Sequence, residues 1–223
     1  MRAHEFITEG LNHPIIVVDV QPEYAYYGNN ANTCENIVKF VTAQKSQVLM
    51  FVNAEDSGVS VDTRETINQY WEDVANEYNN EEDRYDYDEE YIDHESIIDW
   101  NRFTIVDKGF GYLRGWMDQG VSDKSIIKTI RAMYMQKVSD SRMLYNGEDS
   151  ESYYEDMTTL LGREYTERLR SDAISVEWIS VAQLKRFNGA YLVGGGRDEC
   201  LKEVTLLMSA FNIKYKLIDR LVY

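Results

Sequence analysis

The chain has 223 residues, 43% of them hydrophobic, and a formal net charge of −16. That length suits one large domain with its own core, and the excess of acid argues against a general binder of phosphate backbones. No stretch approaches the ~18 apolar residues of a spanning helix, the first residues lack the apolar run of a secretory signal, and two distant cysteines make no disulfide framework.

Residues 14–20 form a near-continuous β-branched run, Ile15-Ile16-Val17-Val18, closed by Asp19 and Val20. Such a run suits a strand buried on both faces, as in a parallel sheet. Residues 31–44 read as a helix with Ile37, Val38, Phe40 and Val41 on one side. Further buried strands are expected at 47–52, 102–106 and 189–193, a helix at 200–211 with Leu201, Val204, Leu207 and Met208 inward, and a last strand at 215–218. Residues 174–179 suit either a strand or a helix. Strands alternate with helices, so the class is α/β with a mostly parallel sheet.

Two stretches fit this rhythm poorly. Residues 63–100 are acidic and rich in tyrosine and asparagine, and are expected as an insertion with a solvated face. A calcium site is disfavoured there because the glycine and spacing of an EF-hand loop are missing. Residues 122–170 look like an inserted helical hairpin, with Ile126, Ile127, Ile130, Met133 and Tyr134 on one apolar face and Met157, Leu160, Leu161, Tyr165 and Leu169 on another. No repeat or linker divides the chain, so residues 1–223 are expected as one domain carrying these two insertions.

Ligands of open parallel sheets gather outside the carboxyl ends of the strands. Three chemically capable side chains follow three different strands: Asp19, Lys108 and Cys200. Cys200 also stands after Gly194, Gly195 and Gly196, where a helix begins. The positive end of a helix favours a thiolate, and the glycines allow close backbone approach to a ligand. In this reading Asp19 accepts the thiol proton, Lys108 steadies Asp19 and the thiolate, and Cys200 attacks an electrophilic carbon. The N–H groups of Gly196 and Cys200 are candidates for the oxyanion. Arg197 beside them suggests an anionic substrate. Together with the glycines it also suits an anion-binding turn, although no Gly-Lys-Ser/Thr ending follows.

These motifs resemble the isochorismatase-like cysteine hydrolases, which include nicotinamidases and N-carbamoylsarcosine amidohydrolases. The family's opening Asp-x-Gln-x-x-aromatic corresponds to Asp19, Gln21 and Tyr24. Its lysine before a small and aromatic turn corresponds to Lys108, followed by Gly109, Phe110, Gly111 and Tyr112. Its Gly-Val-Ala-Thr-Asp-x-Cys-Val motif corresponds to residues 194–201, with Gly195 and Gly196 in place of Val-Ala and Arg197 in place of threonine. The resemblance implies a three-layer α/β/α sandwich, a triad of Asp19, Lys108 and Cys200, and a cis peptide between Gly195 and Gly196. The expected oxyanion- or substrate-binding residues are Gln21, Tyr24, Gly195 and Gly196, within the matched motifs, and Arg197, by its charge beside the site. The aspartate and close histidines that hold metal in nicotinamidases have no counterpart at 52–57, so no metal and no cofactor are expected.

The expected function is metal-independent hydrolysis of an amide-like C–N bond, or an isochorismate-type ether, in a small and anionic molecule. The alternative is a non-catalytic binding protein on the same scaffold. The expected setting is cytoplasmic, with a small-molecule substrate, homo-oligomeric assembly, and no nucleic-acid or membrane partner.

Overall fold

Strand β1 (Ile15–Val18) is buried along its whole length, as a strand with helices on both faces must be. The computed structural model describes residues 13–27, 30–53, 61–80, 96–108, 111–118, 120–136 and 179–223. Within them β1 runs parallel between β2 (Val48–Val52) and β4 (Ala190–Gly194). Strand β3 (Phe103–Asp107) pairs outside β2, and β5 (Tyr215–Leu217) outside β4. The five-stranded sheet is therefore all parallel, in the order β3-β2-β1-β4-β5.

Alternate strand residues point to opposite faces, and each face has its own helical cover. Ile16, Val18, Leu49, Phe51 and Leu192 pack with Leu113, Ile126, Ile130, Leu184, Val204 and Leu207. Those partners come from α4 (Gly111–Asp118), α5 (Asp123–Gln136), α6 (Val181–Lys185) and α7 (Cys200–Ala210). Ile15, Val17, Met50 and Val193 pack on the other face with Ile37, Val38, Ile67 and Trp71. These belong to α2 (Ala31–Thr42) and α3 (Val61–Asn80); the short α1 (Pro22–Tyr27) follows β1. The result is the expected α/β/α sandwich. Each fully buried aliphatic or aromatic side chain in its two cores contributes roughly 1.5–3 kcal/mol.

Both stretches that fit the sequence rhythm poorly contribute to these layers. Residues 63–80 of the acidic stretch lie in α3, which buries Ile67, Tyr70, Trp71, Val74 and Ala75. Asp62, Glu65 and Asp73 are exposed on its other side, and the helix lies between β2 and β3 in the chain. The indole N–H of Trp71 donates to the Val20 carbonyl at 2.9 Å, tying α3 to the chain just beyond β1. Of the helical stretch, α5 packs along α7 through buried Ile126 and Ile130. The second apolar face expected at 157–169 lies outside the described residues, as do 81–95 and the undecided 174–178.

Arg102, expected to open the third strand, instead ends a 3-10 turn, Trp100–Arg102. It is buried, and its guanidinium donates to the carbonyls of Val41 at 2.7 Å and Ser46 at 3.0 Å. It thereby satisfies carbonyls near the end of α2, where a cation also suits the helix dipole. No helix among the described residues is long and apolar enough to cross a membrane.

Candidate active site

The strand order reverses direction at β1, whose neighbours β2 and β4 lie on opposite sides, so the carboxyl ends of β1 and β4 flank a topological switch point. Register brings the three expected side chains to this edge. Val18 pairs with Phe51 and Gly194, and Val52 with Asp107, so Asp19, Gly195 and Lys108 all begin where the strands stop. The Asp19 N–H donates to Phe51 O at 2.9 Å and the Lys108 N–H to Val52 O at 2.7 Å, so both backbones are held by the sheet.

Asp19 turns the chain with a φ of 53°, a left-handed conformation in which Asp is among the better tolerated side chains. Its carbonyl accepts a hydrogen bond from the Tyr223 hydroxyl at 2.6 Å. The carboxylate is fully buried, and its Oδ2 accepts from Lys108 Nζ at 2.8 Å. Its Oδ1 has no aligned hydrogen-bond partner among the described residues. Lys108 is only 4% exposed. Burial lowers its pKa, but Asp19, Glu203 and Cys200 together outweigh burial and hold the ammonium well above its usual range.

Cys200 is the first residue of α7 and is partly buried. Asp19 and Lys108 both act on its thiol through charge, Asp19 raising its pKa and Lys108 lowering it. The structure corrects the expected resting thiolate. Burial pushes the thiol up to about 12, Asp19 pushes the same way, and Lys108 offsets only part of this. Burial and then the neighbouring carboxylate favour the neutral thiol over the expected thiolate.

The turn before α7 depends on two glycines. A Cβ on Gly194 (φ +82) would lie 2.3 Å from the Val18 carbonyl oxygen, and one on Gly195 (φ +65) 3.1 Å from Leu201 N. No cis peptide bond occurs among the described residues, so the Gly195–Gly196 link is trans, contrary to what the resemblance implies. With glycine at 194 and 195, positive φ alone makes the turn. The Gly196 carbonyl accepts from Glu199 N at 3.0 Å and Leu201 N at 3.1 Å. The N–H groups of Gly196 and Cys200 donate to no carbonyl among the described residues, and no side chain caps α7.

The structure gives the other expected site residues different work. Gln21 is buried: its amide donates to Asn53 O at 3.1 Å, and its Oε1 accepts from Asn53 N at 3.0 Å. It pins the loop after β1 to the end of β2. The Tyr24 hydroxyl accepts from Asn53 Nδ2 at 3.0 Å and lies in the field of Asp19, Lys108 and Cys200; burial, then Asp19, raises its pKa. Arg197 pairs with Asp219 at 2.8 Å, both side chains being more than half exposed. Its charge is thus answered at the surface and gives no support to an anionic substrate.

Against known proteins, the chain matches no family model, no curated protein and no solved structure.

Two site residues were not anticipated from the sequence. Glu203 is 3% exposed, and its Oε2 stands 3.0 Å from Lys108 Nζ. The approach lies off the direction of a hydrogen bond, so charge attraction is its main component. Burial raises the Glu203 pKa, with Lys108 opposing. Arg114 on α4 pairs with Glu199, the residue before Cys200, at 3.1 Å, and with Asp118 at the same distance. A glutamate one turn after Cys200, flanked by Leu201 and Val204 on the inward face of α7, was the signal available for Glu203. Among the described residues no cluster of His, Cys, Asp and Glu is arranged to hold a metal ion.

Proposed function

We propose that the chain is a cysteine hydrolase that cleaves an amide-like C–N bond of a small molecule through Asp19, Lys108 and Cys200. The observation that carries this reading is the buried Asp19–Lys108 pair at the switch point, within reach of a thiol at a helix start. Taking two charges out of water costs several kcal/mol per ion, and perturbed charges gathered in this way mark functional sites.

In the first step Asp19 takes the Sγ proton and the sulfur attacks the substrate carbonyl carbon. Lys108 stays charged as negative charge moves from Asp19 to sulfur. The N–H groups of Gly196 and Cys200, which donate to no carbonyl among the described residues, hold the oxygen as it becomes negative, and such a donor contributes about 10²–10³ in rate. The C–N bond then breaks while Asp19 returns its proton to the leaving nitrogen, leaving a thioester on Cys200. Water adds to the thioester with Asp19 again as base, releasing the acid and restoring the thiol. Ether cleavage of the isochorismate type is the runner-up chemistry for the same three side chains.

The test is ammonia or amine release from a panel of small primary amides and N-carbamoyl compounds, with intact-mass detection of the thioester. Turnover by the native chain, lost in Cys200→Ala with unchanged melting, is the expected result. Equal turnover in Cys200→Ala overturns the assignment, and absence of both turnover and adduct across the panel favours the non-catalytic alternative.

A further inference from the structure

Lys108 serves two buried carboxylates. Asp19 Oδ2 stands 2.8 Å from its Nζ on one side and Glu203 Oε2 3.0 Å on another. With the Cys200 thiol neutral, the cluster contains two acids and one base, all nearly sealed from water. An ion pair needs one carboxylate, so the second calls for explanation. Its place in the fold supplies one. Glu203 lies three residues after Cys200 on α7, and residues at that spacing are neighbours on a helix face. The helix that presents the sulfur therefore also presents an anion to the lysine.

We propose that Glu203 is a positioning residue that shares the Lys108 charge with Asp19, so that Lys108 is held from the sulfur and the Cys200 proton stays in place until Asp19 takes it. Were Lys108 to face Asp19 alone, its whole field would act to keep that carboxylate ionised. Glu203 divides that field, its Oε2 standing 3.0 Å from the same Nζ. Lys108 keeps a second carboxylate beside it when Asp19 takes the proton, and its ammonium is retained despite burial. This inference rests on the triad reading above.

Removing the Glu203 charge makes Lys108 more available to the sulfur, so the thiolate should form at lower pH. The groups facing the cluster are Asp19 from β1, Lys108 beyond β3, Arg114 from α4, Tyr24 from α1 and Tyr223. Each is retained in the comparison of the native chain with Glu203→Gln.

The experiment is the rate of Cys200 alkylation by iodoacetamide against pH, read by peptide mass, in the native chain, Glu203→Gln and Asp19→Asn. Glu203→Gln should shift the profile to lower pH by about half to one unit, which is roughly three- to tenfold faster alkylation at pH 8. A merely structural glutamate would leave the profile in place. Should Glu203→Gln not fold, Glu203→Met fills a similar volume beside Leu201 and Val204 and has the same expectation. An unshifted profile in the folded variant overturns the proposal. A shift in Asp19→Asn without one in Glu203→Gln removes the role of Glu203 alone, whereas no shift in either removes the triad reading as well.

Discussion

Lys108 Nζ reaches Asp19 Oδ2 at 2.8 Å across the end of β2, the strand that lies between theirs. The contact exists because Lys108 is one residue past β3 and Asp19 one past β1, in register. Lys108→Met leaves Asp19 and Glu203 buried without their cation. Removing one partner of a buried pair costs about 3–5 kcal/mol, and the pH dependence identifies the cause. One of the two acids must take a proton to remain folded, so its folded-state pKa stands above its unfolded value of about 4. Such a group stabilises the fold below that value, and the contribution is lost as pH rises through the folded value. The variant should therefore lose more stability at pH 8 than at pH 5 relative to the native chain. Urea midpoints at the two pH values decide, and equal losses would contradict the buried pair.

Gly194 and Gly196 are two residues apart and should respond very differently to alanine. A Cβ at Gly194 would lie 2.3 Å from a backbone oxygen, and its φ is +82, whereas the nearest atom to a Cβ at Gly196 is a Glu199 side-chain carbon at 3.4 Å. Gly194→Ala is expected to lose about 3 kcal/mol or more through combined clash and strain, and Gly196→Ala less than about 1 kcal/mol. Denaturant unfolding of the two variants measures the contrast. Similar losses would mean that the turn relaxes.

The strands, and the places of Asp19, Lys108 and Cys200 beyond them, were legible in the sequence because each depends on local pattern. Unbroken β-branched runs such as 15–18 specify a strand covered on both faces; Asp19 follows that run directly, and Lys108 and Cys200 follow the mixed apolar strands Phe103–Asp107 and Ala190–Gly194. What depended on packing was not legible. In α3, Ile67, Tyr70, Trp71 and Val74 recur at helical spacing, but the charged residues between them hid the buried face. Glu203 was not singled out from the sequence; the inward turn of α7 places it against Lys108. The thiolate was expected from the helix start, and burial beside Asp19 reverses that. Arg197 is adjacent to the turn in sequence, yet its side chain pairs with Asp219.

Tyr223 reaches the site through the backbone. Its hydroxyl donates to Asp19 O at 2.6 Å, its N–H donates to Gly195 O at 3.3 Å, and its carbonyl accepts from Arg197 N at 3.1 Å. It therefore holds the turn of Asp19 and the glycine turn against each other. Tyr223→Phe removes only the first of these bonds and should lower stability by about 1–2 kcal/mol. Because Asp19 pushes the Cys200 thiol up, loosening its turn should also speed Cys200 alkylation, by less than Asp19→Asn does. Thermal melting and the alkylation rate together test this, and an unchanged melting curve would show that the hydroxyl bond contributes nothing net.

The two cysteines predict how the fold fails at high pH. Burial pushes Cys34 up to about 12, with a hydrogen bond from Tyr70 opposing, and burial together with Asp19 pushes Cys200 to about the same value. In the unfolded chain a thiol ionises at about 8.5. Both folded values are raised, so both groups contribute stability that is complete below about 8.5 and declines as pH rises toward 12. Urea midpoints should therefore fall progressively above pH 9, and Cys34→Ala should flatten that fall, because its thiol is fully enclosed between α2 and α3. Alkylation separates the two sites over the same range. Cys200 is partly open, so its rate should climb about tenfold per pH unit as thiolate accumulates. Cys34 should react only as fast as the chain unfolds. Neutral-pH labelling of Cys200 well above the rate of a free peptide thiol would mean that Lys108 outweighs burial and Asp19, and that the resting group is a thiolate after all.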